Sequence, residues 1–113
     1  MIKYVYKICS RTEWDSIKKN GQFLGTKKDI LDGYIHFSNK DQVQSTLKKY
    51  FFSQDQLVLL KVETSYLKNL IWEKSTNGIQ FPHLYSFLDV KNIKNVYKII
   101  LAKNGSHILP NFF

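Results

Sequence analysis

Leu57-Val58-Leu59-Leu60-Lys61-Val62-Glu63 is the stretch whose reading sets the fold. Its apolar residues run almost without interruption over a strand-like length, which predicts a strand covered on both faces and central in its sheet. Outward from it, residues 3–9 alternate, with Tyr4, Tyr6 and Ile8 on one side and Val5, Lys7 and Cys9 on the other. That is the pattern of a half-buried strand. Ser10-Arg11-Thr12-Glu13 has capping-box spacing, in which serine and glutamate satisfy each other's free backbone N–H groups. A short helix follows, with Trp14 and Ile17 inward and Gly21 as its stop. The region around Thr26-Lys27-Lys28-Asp29 reads as a loop, and Asp32-Gly33 as a turn into the strand Tyr34-Ile35-His36-Phe37-Ser38. Ser38 to Asp41 repeats the cap-like spacing and opens a second helix, with Val43, Leu47, Tyr50 and Phe51 forming one apolar stripe.

Beyond the central strand, residues 66–69 form a turn or helical loop and 70–73 another strand. Ser75-Thr76-Asn77-Gly78 is a turn, 79–85 is extended, and a short helix or turn at 90–94 precedes a last strand at 96–102. The tail, 103–113, is polar and then aromatic and receives no assignment. Two early helices followed by strands joined through tight turns make an α+β domain with a mainly antiparallel sheet. The 113 residues and 13.4 kDa suit one domain, 1–113. A chain of this size buries roughly two-thirds of its unfolded surface, enough for a core without disulfides or structural metal.

The lone Cys9 excludes an intramolecular disulfide and a four-thiolate zinc site, and its apolar surroundings point to an inert buried thiol. No apolar run approaches the ~20 residues that span a bilayer. The first residues begin as a strand without a signal peptide's apolar stretch, so a cytoplasmic location is expected. The net charge is +8, with 17 basic against 9 acidic residues, which invites a nucleic-acid reading. Arg11, however, is the only arginine. Lysine is a point charge and lacks the planar fork that grips phosphate or guanine. The charge therefore permits weak, salt-sensitive contact with polyanions and names no partner.

Three clusters carry candidate chemistry. Alternation in the strand 34–38 sends Ile35 and Phe37 to one face and Tyr34, His36 and Ser38 to the other, next to a helix N-terminus. Imidazole, hydroxyl and phenol together suit a ribose or a phosphate; the alternative is that Ser38 caps the helix and His36 is structural. In Phe81-Pro82-His83-Leu84-Tyr85, the rings of Phe81, His83 and Tyr85 share a face, and proline confines this strand to an edge or an irregular stretch. Its aromatics could equally fill the core. Glu73 projects opposite to Trp72 on an otherwise apolar strand, so it needs a functional role or a lysine partner. No metal is expected, because the spacing of His36, His83 and a carboxylate matches no compact motif and His107 lies in the tail. A G-x-S-x-G elbow and a Gly-rich phosphate loop are both lacking.

Taken together, these pieces resemble the small bacterial family catalogued as domain of unknown function 952. The matching residues are Tyr6-Lys7-Ile8, Glu13-Trp14, Gly21 with Gly25, and Asp32 through Ser38. They continue through Gln42-Val43, Thr46-Leu47, Leu57 to Leu60, Trp72-Glu73 and Phe81 to Tyr85. The I-H-F-S strand, helix and L-V-L-L strand are more distantly similar to the core of the ADP-ribosyltransferase superfamily, with the RNA 2′-phosphotransferases nearest in layout. That resemblance implies an ADP-ribosyltransferase-like domain that binds NAD, as substrate, or a related nucleotide. It implies that His36 and Ser38 contact a ribose, that Tyr34 or Tyr85 stacks on nicotinamide, and that Glu73 or His83 sits by the transferred ribose. A single arginine departs from the phosphotransferase pattern, which uses several to hold the 2′-phosphate, and no clear E-x-E or Q-x-E pair is present. The competing expectations are a non-catalytic small-molecule or nucleotide-binding domain and a basic RNA-associated module.

Overall fold

The computed structural model describes residues 2–75, 77–111 and 113. Nine strands, three α-helices and three 3-10 turns are defined among them. The main sheet runs β1 (Tyr4–Ser10), β4 (Leu57–Glu63), β8 (Ile93–Leu101), β9 (His107–Ile108), all antiparallel. β4 is central, as its continuous apolar pattern requires: Val58, Leu60 and Val62 enter a first core, while Leu57 and Leu59 enter a second.

The first core adds Ile17, Phe23, Ile35, Phe37, Leu84 and Leu88; the second adds Val43 and Leu47. β1 is likewise buried on both faces rather than half-buried, because Tyr6 and Ile8 meet the second core while Val5 and Cys9 meet the first. Lys7 therefore sits on a core-facing row and is only 5% exposed. Burial pushes the Cys9 thiol up to about 12, with Glu13 and Asp29 adding to the shift and Lys7 opposing it. Cys9 is expected to resist iodoacetamide at pH 8 in the native protein and to label readily in denaturant. Rapid native labelling, read by mass spectrometry, would contradict a closed first core.

Helix α1 (Arg11–Asn20) has the expected Ser10–Glu13 capping box and a left-handed Gly21 at its end. The expected loop at 26–29 is instead the start of α2 (Lys27–Asp32), with its own capping box between Thr26 and Asp29. The cap ahead of α3 (Val43–Tyr50) also differs: Asn39, not Ser38, shares a capping box with Gln42 across the 3-10 turn Lys40–Gln42. α3 buries Val43 and Leu47, but Tyr50 faces solvent and leaves the predicted stripe.

A second sheet orders β3 (Ile35–His36), β6 (Gln80–Leu84) and β5 (Leu70–Lys74), and a two-stranded pair joins β2 (Gln22–Phe23) to β7 (Leu88–Asp89). β6 is central and not the edge strand its proline predicted. Two facts reconcile this. The Pro82 carbonyl accepts the Phe37 N–H at 3.0 Å, so the ring nitrogen also points to the β3 side. There β3 pairs only with His83 and Leu84, and no ladder bond to β5 is lost. In the turn before β6, the Gly78 N–H donates to Ser75 O, while Thr76 lies outside the described residues. The unassigned tail contributes β9, and Leu109 and Phe113 pack on the second core; Phe112 lies outside the described residues. No described helix is long and apolar enough to cross a membrane.

Candidate functional site

The second sheet builds the site. In its register His36 lies directly opposite His83, and Ile71 is opposite His83 on the other side. Alternation turns Ile35, Leu84, Leu70 and Trp72 into the first core, leaving the two imidazoles and Glu73 on the opposite face. The rings of His36 and His83 lie 5.5 Å apart edge to face. Tyr34 stacks on His83 at 4.0 Å and tilts against His36 at 4.6 Å and Tyr85 at 5.2 Å. Five of the six expected site residues thus converge. Ser38 is the exception: it is buried, bridges to Tyr6 in β1, and shares a hydrogen bond with Thr46 on α3 at 3.2 Å.

The residue that organises His36 is one sequence reasoning missed. Asp29, 1% exposed, accepts the His36 backbone N–H at 3.1 Å and its Nδ1–H at 2.6 Å on Oδ1, and the Thr26 N–H on Oδ2 at 2.9 Å. Lys7 Nζ lies 3.0 Å from Oδ1 and 2.8 Å from Oδ2. Burial works to raise the Asp29 carboxyl, but the hydrogen bonds from His36, Lys7 and Thr26 outweigh it and hold it well below the ordinary range. Burial also lowers Lys7, against the pull of Asp29. A lysine between Val5 and Cys9 on a core-facing row, and a T-x-x-D cap, were the two signals available.

At the solvent edge, His36 Nε2 faces Asp32 Oδ2 at 3.0 Å, and Lys28 Nζ holds the same oxygen at 3.1 Å. Among the described residues, Glu73 is paired with His83 and Tyr85 and not with a lysine. Its Oε1 accepts from His83 Nδ1 at 2.7 Å and from the Tyr85 hydroxyl at 2.6 Å. These bonds, Tyr85's first, hold the Glu73 carboxyl below its ordinary range and push the Tyr85 phenol up to about 12.

The cluster is an open platform, and a concavity adjoins it. A groove of about 290 Å³ is lined by Leu24, Ile30, Tyr34, Leu84, Tyr85 and Phe87, among others. Its lining joins Ile35 and Leu84 of the core-facing row to Tyr34 and Tyr85 of the platform and does not include either histidine. A slightly larger hollow of about 320 Å³ lies against α1, lined by Glu13, Ile17 and Phe23, away from the chemistry.

The family model described as "Protein of unknown function (DUF952)" matches residues 8–96, which hold the histidines, tyrosines and carboxylates of this cluster but not Lys7. The chain belongs to the DUF952 family. Among solved structures it is similar to CC0527 from Caulobacter crescentus. The crystal structure of that protein shares 42% identity over 93% of each chain with a TM-score of 0.88. A double mutant of it gives the same values. Its solution NMR structure gives 43% identity and a TM-score of 0.82, covering 91% of this chain and 90% of that one. No curated protein matches. In this DUF952 chain, then, the fold is shared closely with a solved relative whose name states no activity.

Proposed function

We propose that this domain is ADP-ribosyltransferase-like and binds NAD or a related nucleotide across the Tyr34–Tyr85 wall, with transfer of ADP-ribose as the reaction class. The observation that supports the reading is the pairing of stacked aromatic rings with the Asp32 and Glu73 carboxylates in a chain of net charge +8. A local acidic, aromatic surface suits a planar cation such as the pyridinium of nicotinamide, and the oxocarbenium character that develops when its glycosidic bond breaks. The general positive charge favours approach of the anionic remainder of the ligand. One ring of a dinucleotide fits the apolar groove against Tyr85 and Phe87, and its ribose lies toward the carboxylates. Ser38, turned to Thr46, takes no part on this reading.

A second reading, a non-catalytic binding domain, draws on His36. Both its ring nitrogens already face carboxylates, at 2.6 and 3.0 Å, so a ribose hydroxyl would have to exchange with Asp32. Thermal shift separates the possibilities. At a hundredfold excess over Kd, NAD is expected to stabilise by about 2.7 kcal/mol, or roughly 10 °C in Tm. Tyr85→Ala and Asp32→Asn, both at solvent-facing positions, should lose the shift, whereas Tyr66→Ala, exposed and outside the cluster, should keep it. No response to NAD, ADP-ribose or nicotinamide mononucleotide would sink the proposal. Nicotinamide release then distinguishes enzyme from binder.

A further inference from the structure

We infer that His83 is the general base of this site, taking the proton of the acceptor, with Glu73 and Tyr34 as positioning residues; this rests on the nucleotide-transfer reading above. Three histidines are present, and their hydrogen bonding sorts them. His107 is buried, with Nε2 on the Gln54 carbonyl at 2.8 Å. Its Nδ1 is unpartnered but sealed from solvent. His36 has a carboxylate oxygen at each ring nitrogen. Among the described histidines, His83 combines one anchored nitrogen with one open to solvent. A carboxylate only accepts, so the bond to Glu73 Oε1 places the proton of a neutral ring on Nδ1. Nε2 then carries the lone pair. It has no protein partner among the described residues and is not sealed from solvent.

The surroundings fix the ring in this pose. Glu73 Oε1 is itself held by the Tyr85 hydroxyl, and Tyr34 lies nearly parallel to the imidazole, at 26°. Base, orienting carboxylate and fixed ring plane are the parts of an activated acceptor site. The step balances without a further reagent. The acceptor O–H, water in the simplest case, gives its proton to His83 Nε2 as its oxygen bonds to the anomeric carbon of the ribose. The C–N glycosidic bond breaks, its electron pair goes to the nicotinamide nitrogen, and nicotinamide leaves neutral. The imidazolium formed is paired with Glu73.

The experiment uses the full chain and separates this inference from the binding reading. Long-range ¹H–¹⁵N NMR of the ligand-free protein reads the neutral tautomer of His83 directly: Nδ1–H is expected, and Glu73→Gln should redistribute it. Calorimetry measures NAD binding, and a steady-state assay measures nicotinamide release with water as acceptor. His83→Asn should keep the affinity for NAD within about threefold while losing at least about a hundredfold in kcat. Glu73→Gln should lower kcat by a larger factor than it raises KM. An Nε2–H tautomer in the native protein overturns the assignment, as does NAD binding without nicotinamide release, or turnover in His83→Asn equal to wild type. Absence of NAD binding with the Nδ1–H tautomer intact overturns the nucleotide reading, and the transfer step falls with it.

Discussion

Asp29→Ala is expected to lower the unfolding temperature by about 12–20 °C. The carboxylate is almost wholly buried and holds two backbone N–H groups, the His36 ring and Lys7. Removing it leaves the Lys7 ammonium buried without its partner, a change that typically costs about 3–5 kcal/mol. Roughly 4 °C per kcal/mol applies to a domain near this size. Lys7→Met should cost less, about 1–3 kcal/mol, because Asp29 keeps three N–H donors. Thermal denaturation followed by circular dichroism orders the two variants; an equal or larger loss in Lys7→Met would mean that the ion pair, and not the N–H network, carries the stability. The pH dependence has a defined sign. Asp29 is held below its unfolded value, so its stabilisation is complete above about pH 4 and drains away as pH falls toward the depressed folded value. Asp29→Ala should therefore show a shallower loss of Tm between about pH 4 and pH 2 than wild type.

Gly25→Ala should cost about 2–4 kcal/mol. Gly25 has φ +120°, a conformation that residues with a Cβ rarely adopt, and an added Cβ would lie 2.7 Å from the Asp29 Cβ. That atom cannot swing aside without disturbing the buried network, so the substitution strains the backbone and displaces the anchor of His36 together. Gly78→Ala is the control: its φ is also positive, at +82°, but an added Cβ meets nothing within 4 Å, so only backbone strain of about 1–2 kcal/mol remains. Urea titration gives both values. A Gly25→Ala loss no larger than that of Gly78→Ala would show that Asp29 tolerates displacement. Nuclear magnetic resonance of the His36 ring should move only in Gly25→Ala.

Much of this architecture is legible in the residues. α1 declares itself because cap, inward face and stop all agree, and β4 because a strand buried on both faces leaves a continuous apolar run. α2 does not. Thr26 and Asp29 have the same spacing as the cap of α1, but Ile30 and Leu31 are 65% and 87% exposed, so no apolar periodicity accompanies it. The site was visible as separate clusters at 34–38, 73 and 81–85. Their convergence depends on strand register across distant segments, which local alternation cannot supply. Lys7 signals a buried partner only once β1 is seen to be covered on both faces, and that partner lies 22 residues on, inside the helix that went unread. Ser38 shows the opposite failure: strand alternation would have kept it beside His36, but β3 ends at His36 and the chain turns toward β1.

The pairing of His36 with His83 also has a consequence for biosynthesis. Chains leave the ribosome at about 5–20 residues per second, so seconds separate the emergence of the two histidines. During that interval α2 can close its cap, Asp29 can collect Thr26 and β1 gains β4, but β3 has no β6 to pair with. The platform is thus a late product of folding, formed only after both sheets have recruited strands from the second half of the chain. A translational pause ahead of Phe81 would hold the nascent chain with α2 capped and the aromatic, acidic face still unbuilt.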